Sequence, residues 1–192
     1  MYDILHPPPD ILLLVNCDDP SVTLHGVSST LMEQRVREAM RALESLRQEL
    51  TPALSGSKSV REANWNNSPH LVRWFNEFSQ HGTVQLYSRC TRILKALGNP
   101  RFGIKCAEKL GGLAGRGGIM RVVIYAAIFG HQTRKEQLAT VIHEIGHPIV
   151  AGADFRYYPA KCLTLAQKHP AIARVNLDNL AYCALECHGY SF

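Results

Sequence analysis

His143 and His147, with Glu144 beside the first of them, are the residues of this chain best suited to chemistry. Residues four apart on an α-helix lie on one face, so the two imidazoles can be aimed at one point while the carboxylate stands next to it. Two imidazoles suit zinc, and a neighbouring carboxylate can act as general base toward a water that the metal activates. Random placement of nine histidines among 192 residues yields His-Glu-x-x-His about 2% of the time, so the surroundings must also fit.

The elements around the motif do fit. Thr133-Arg134-Lys135-Glu136 reads as a capping box that starts a helix. Leu138, Val141, Ile142 and Ile145 form its apolar stripe, and His143, Glu144 and His147 fall beside that stripe. Upstream, residues 120–129 are β-branched and aromatic and end at Gly130, which predicts a strand leading into the helix. Pro148 has no amide hydrogen and disfavours helical geometry at the residue before it, so the helix is expected to end at His147.

A catalytic zinc takes three protein ligands and keeps one position open for water. A histidine-completed continuation needs a glycine at position 150 and a histidine at position 153, but Val150 and Ala153 stand there. Two carboxylates remain as candidates: Asp154, seven residues past His147, and Glu186 on a later helical stretch.

His143-Glu144-x-x-His147, Gly152-Ala153-Asp154-x-x-Tyr157, Asn176-Leu177-Asp178-Asn179 and Tyr182 together resemble the aspzincin metallopeptidases, the deuterolysin and peptidyl-lysine metalloendopeptidase family. The similarity covers residues 28–187 and is strongest from 138 onward. It implies an α+β, zincin-like fold, mainly helical, with a small β-sheet next to the metal-binding helix. It also implies a zinc-dependent endopeptidase with one Zn2+ held by His143, His147 and Asp154, Glu144 as general base, and Tyr157 stabilising the oxyanion. The family has Thr where Ala153 stands, and the loop here is a residue shorter, so Tyr158 is the alternative to Tyr157. By the same resemblance Asp178 lines the pocket for the residue after the scissile bond and favours Lys or Arg there. Ala181 occupies the place of a second acid found in the lysine-specific branch, so strict lysine specificity is not implied. Asp178 also suits the first turn of a helix as a cap. The alternative function is an inactive zincin-like binding or toxin module with a structural metal, whose fourth ligand would be Glu186, His188 or His169.

The remaining sequence bounds this reading. With 192 residues, 46% of them hydrophobic, residues 28–192 can form one catalytic domain around a single core. Residues 1–27, with Pro7-Pro8-Pro9 and Asp18-Asp19-Pro20, read as an extended arm in which Ile11-Leu12-Leu13-Leu14-Val15 adds a strand or packs on the body. That run is too short to cross a bilayer. A net charge of +5 raises the question of nucleic acid. However, Arg35, Arg37, Arg41 and Arg47 alternate with Glu33, Glu38, Glu44 and Glu49, which reads as a solvated face of mixed charge. With the substrate that the resemblance implies, the expected partner is a protein or peptide, and the chain is expected to be a monomer with no nucleic-acid partner and no membrane insertion.

On the same helix Met32, Val36, Ala39, Met40, Leu43, Leu46 and Leu50 form an apolar stripe. Ser68-Pro69 begins another helix with Leu71, Phe75 and Phe78 on one face, and Trp74 and Phe75 read as core. Residues 111–118 are glycine-rich but lack the Gly-Lys-Ser/Thr ending of a phosphate loop, so they read as a flexible loop near the cleft. Six cysteines allow disulfides without fixing a pairing, and Cys183 and Cys187, one helical turn apart, also suit buried thiols. No cleavable secretory leader is evident, so the expectation is a secreted enzyme or delivered effector exported by another route, ahead of a resident cytoplasmic protease.

Overall fold

The computed structural model describes residues 14–99, 101–108 and 121–192. Within them lies a parallel sheet of order β1 (Leu14–Asn16), β2 (Gly103–Ala107), β3 (Arg121–Tyr125). Val15 stands opposite Ile104, which stands opposite Val122. Parallel neighbours need a long crossover. Here the connection from β1 to β2 holds α1 (Pro20–Thr23), α2 (Ser29–Leu50), a 3-10 turn (Thr51–Leu54), α3 (Lys58–Asn66), α4 (Pro69–Phe75) and α5 (Gln80–Leu97). β3 runs through a single turn, α6 (Ala126–Phe129), into α7 (Arg134–Val150). The chain finishes with α8 (Pro159–Lys168), α9 (Pro170–Ala173) and α10 (Leu177–Cys187). This is an α+β fold, mainly helical, with the small sheet packed against α7.

Local chemistry sets the helix starts. Ser28, Ser57, Ser68 and Ser79 each have extended backbone and accept a first-turn amide on the side chain, satisfying a donor the helix cannot. α2 buries its whole apolar stripe, from Met32 to Leu50, and packs on α5, α7 and α10. α10 is buried along nearly its entire length, from Leu177 to Glu186, so it is the central helix of the body. Each fully buried Leu or Ile in this core contributes about 1.5–3 kcal/mol of transfer free energy.

Several expectations are corrected. The strand expected over 120–129 stops at Tyr125, and Ala126–Phe129 makes a helical turn instead. Alanine favours helix, and the turn seats Phe129 in the core. Phe78 is not on the helix that Pro69 begins: Asn76 takes a left-handed conformation (φ 58°) and ends α4, and Phe78 packs edge-on against Trp65. The charged face of α2 is only partly solvated. Glu38 is buried and accepts both Nε (3.1 Å) and Nη2 (2.7 Å) of Arg134, together with the Tyr190 hydroxyl. Arg35 donates to Gln137 of α7 at 2.7 Å.

Of the expected arm, residues 14–27 pack on the body through Cys17, Val22 and Val27, while residues 1–13 lie outside the described residues, as does the glycine-rich loop 111–118. Cys17 and Cys106 form a disulfide across β1 and β2. Cys90, Cys162 and Cys183 are buried thiols, and burial pushes Cys90 and Cys162 up to about 12, which suppresses their reactivity. No described helix is long and apolar enough to cross a membrane.

Candidate metal centre

α7 carries the two histidines because both of its ends are anchored. At its start Glu136 accepts the Thr133 amide (2.7 Å) and hydroxyl (2.7 Å), completing the expected capping box. Arg134 and Gln137 tie the first turn to α2, and Gln137 also donates to the Phe129 carbonyl at 3.0 Å. Leu138, Val141, Ile142 and Ile145 are fully buried, and the neighbouring face turns His143 and Glu144 to the cleft, with His147 one turn further on.

The helix does not end at His147. It passes through Pro148 to Val150 and closes with Ala151 in the left-handed region (φ 48°). Proline costs the bond to the Glu144 carbonyl but lies in the last turn, where burial of Ile149 and Val150 offsets the loss. The Arg92 guanidinium, donating to the Ile149 carbonyl, caps that end.

Three ligand atoms converge. His143 Nε2 and His147 Nε2 are 3.1 Å apart, and Asp154 Oδ1 lies 3.3 Å from the first and 3.2 Å from the second. Ligands about 2.0–2.1 Å from a tetrahedral zinc stand about 3.3 Å from one another, so the donor spacing and the His-His-carboxylate chemistry both fit that ion. Among the described residues this is the one cluster of three or more such donors close enough to share a metal. The other candidates lie elsewhere. Glu186 is buried, accepting Trp74 Nε1 at 2.7 Å and facing Arg73 at 3.3 Å. His188 Nδ1 sits 3.2 Å from the Ser45 hydroxyl, and His169 ends α8. Three donors from the chain leave a fourth position for water or substrate.

Asp178 sits against His143 itself. Its Oδ1 is 2.6 Å from His143 Nδ1, in a pair buried on both sides. With Nδ1–H donating to that carboxylate, Nε2 of the neutral ring presents its lone pair to the candidate metal position. Burial opposes charge on His143, but the hydrogen bond and charge of Asp178 outweigh it, and the imidazole pKa is raised. Asp178 Oδ2 accepts the Tyr158 amide at 3.2 Å and the Tyr182 hydroxyl at 3.4 Å. An Asp178 expected to reach into the pocket toward a basic side chain is thus also the partner of a candidate metal-ligating histidine, and the N-cap position of α10 falls to Asn176, whose side chain bonds elsewhere.

The segment 151–158 that delivers Asp154 has no regular structure and hangs on Asn176. The Asn176 Oδ1 accepts the amides of Phe155 (2.9 Å) and Arg156 (3.2 Å), and its Nδ2 donates to the Arg156 carbonyl at 3.0 Å. Ala153 also pairs with Asn176 in an isolated parallel bridge. Gly146 and Gly152 both pack against Leu177, and a Cβ at either position would overlap its side chain. Asn179 donates to the carbonyls of Trp74 and Cys162, fastening α10 to α4 and α8. The Asn-x-Asp-Asn run is therefore a bracket for the loop and for His143. The resemblance marks this run but assigns Asn176 no such task.

Glu144 stands in the cleft beside the donors. Burial raises its pKa against the pull of His143 and His147, which suits a base that must later return its proton. Tyr157 is half-exposed at the rim, and its pKa is raised by burial and then by its hydrogen bond to Asp154. Tyr158, more exposed, adopts a left-handed conformation (φ 67°) that aims its amide at Asp178. The cleft itself has a volume of about 670 Å³ and extends from these groups along the N-terminal half of α7 to Lys135 and Phe192.

No protein-family model and no curated protein sequence matches the chain. Among solved structures it is similar to a zinc peptidase from Grifola frondosa, at 18% sequence identity and a TM-score of 0.62, over 86% of this chain and 100% of that one. A likeness at that identity establishes the fold, which is zincin-like, and leaves the activity to be argued from the site.

Proposed function

We propose that this chain is a zinc-dependent endopeptidase whose metal is completed by an aspartate, as in the aspzincins. The observation that carries this reading is the triangle of His143 Nε2, His147 Nε2 and Asp154 Oδ1, with edges of 3.1–3.3 Å, opening beside the Glu144 carboxylate. The solved zinc peptidase of the same fold supports it. When bound, zinc supplies a Lewis acid for the scissile carbonyl and makes water acidic enough to lose a proton near neutral pH.

The chain's own groups account for the rest. Glu144 accepts the proton of the attacking water and delivers it to the leaving amine, a task served by its raised pKa. The Tyr157 hydroxyl donates a hydrogen bond to the oxygen of the tetrahedral intermediate, where charge develops. Asp178 holds His143 in the tautomer that ligates, and Asn176 holds the Asp154 loop in register. The Cys17–Cys106 disulfide supports an oxidising destination for the enzyme.

The test is digestion of a peptide library by the zinc-loaded chain and by Glu144→Gln, read by mass spectrometry. The parent is expected to cleave and to stop when a chelator is added, and the variant is expected to keep zinc and lose hydrolysis. Equal cleavage by the two would overturn the reading.

A further inference from the structure

The cleft beside Glu144 has a chemical character of its own. Lys135, Ala139 and His143 line it at steps of four, so it follows one face of α7. The rest of its lining includes Tyr158, Tyr182 and Phe192, with the Tyr182 and Phe192 rings 4.9 Å apart. The mouth is apolar too, since Ile128, Tyr157 and Tyr158 are 53%, 48% and 69% exposed there. Large exposed apolar side chains gathered at a cleft mark a binding surface.

Charge in the cleft is distributed unevenly. Of the three carboxylates among its described lining residues, Glu136 is held by the amide and hydroxyl of Thr133, and Asp178 by His143, Tyr158 and Tyr182. The third, Glu144, is the base of the reaction. Among the described residues that line the cleft, the cation is Lys135, whose ammonium donates to the Ser191 carbonyl at 3.0 Å and lies 4.9 Å over the Phe192 ring. A lysine or arginine side chain entering here would lose water, find Glu136 and Asp178 already bonded to the protein, and approach the like charge of Lys135. An aromatic side chain would meet rings it can pack against.

We propose that this cleft selects a large apolar side chain, aromatic above all, next to the scissile bond, and that Lys135 turns basic side chains away. The inference rests on the endopeptidase reading and names its substrate class. It differs from the basic preference that the Asp178 position implies.

Matched peptides differing only at the residues flanking one bond, Phe or Tyr against Lys or Arg, test it with the zinc-loaded chain, Lys135→Glu and Lys135→Gln. The parent is expected to cleave beside Phe or Tyr with kcat/KM about tenfold or more above the basic peptides. Lys135→Glu is expected to narrow that ratio about tenfold by gaining on the basic peptides, with Lys135→Gln intermediate. A parent that prefers Lys or Arg, or a ratio unmoved in both variants, overturns the proposal. Calorimetric binding of phenylalanine hydroxamate and lysine hydroxamate to the same zinc-loaded proteins separates it from the catalytic reading. If nothing is cleaved, endopeptidase activity fails. Tighter phenylalanine hydroxamate, with the gap closing in Lys135→Glu, still supports the cleft's preference. Tighter lysine hydroxamate, equal binding, or binding of neither overturns it.

Discussion

His143, Glu144 and His147 stand on a helix capped at both ends and buried along one face, whereas Asp154 and Tyr157 come from a segment with no regular structure and largely exposed side chains. The helix half takes its geometry from α7 itself, through 3.6-residue spacing. The loop half takes its geometry from α10, through the hydrogen bonds of Asn176 and the packing of Leu177. The candidate metal position is therefore where two differently supported elements meet. One is rigid by regular structure, the other by being bracketed.

The sharpest way to probe the helix half is Glu144→Gln, which removes the base and leaves every donor atom in place. We expect kcat to fall about 10³-fold with zinc stoichiometry unchanged, measured by peptide hydrolysis and metal analysis on the same sample. Next in size, Asp178→Asn weakens the support of His143, and zinc affinity should drop about 10- to 100-fold in a chelator competition. If affinity stayed at the parent value, the 2.6 Å contact would be only structural.

For the loop half, Asn176→Ala orphans two amides and a carbonyl, so it should cost about 1–3 kcal/mol of stability in denaturant unfolding. Zinc binding should weaken in step, while α7 keeps its helical signal. A variant with parent-like zinc affinity would mean that Asp154 holds its place without Asn176. The smallest effect is expected at the base of α7, in Glu38→Gln. The Glu38 carboxyl is disfavoured by burial but favoured more strongly by Arg134 and Tyr190, so its pKa falls below the ordinary 4.5. A carboxyl depressed in the folded state stabilises above its unfolded pKa and loses that contribution as pH drops through its folded value. The parent should therefore exceed Glu38→Gln by about 1 kcal/mol near neutrality, since Arg134 is exposed and screened, and the gap should close in acid below 4.5.

The same contrast governs what could be read from the sequence. The helix half is local: a capping box, an apolar stripe and a pair four residues apart all lie within residues 133–147, and each appears in the fold. The serine caps and the α2 stripe are local in the same way. Local rules went wrong where tertiary burial outweighed them, as at Pro148, where Ile149, Val150 and Arg92 carry the helix onward. Glu38 looked solvated on α2 until Arg134, 96 residues away, claimed it. The contact between His143 and Asp178 spans 35 residues and the Cys17–Cys106 pairing spans 89, and no periodicity encodes either. Asp154 was one of two carboxylate candidates until the resemblance favoured it, and the Asn176 run was visible only through that resemblance, because nothing in an irregular loop's composition states what it hangs from.

Leu177 touches both halves at once. It fills the space left by Gly146 on the metal helix and by Gly152 at the root of the loop, and it stands between Asn176 and Asp178 in the chain. A shift of this one side chain would displace the hanger of Asp154 and the partner of His143 together. The centre thus has a common point of failure that ligates nothing and carries no charge. A methyl group added at Gly146 or Gly152 would force Leu177 to shift and strain both halves, leaving every donor residue in the sequence.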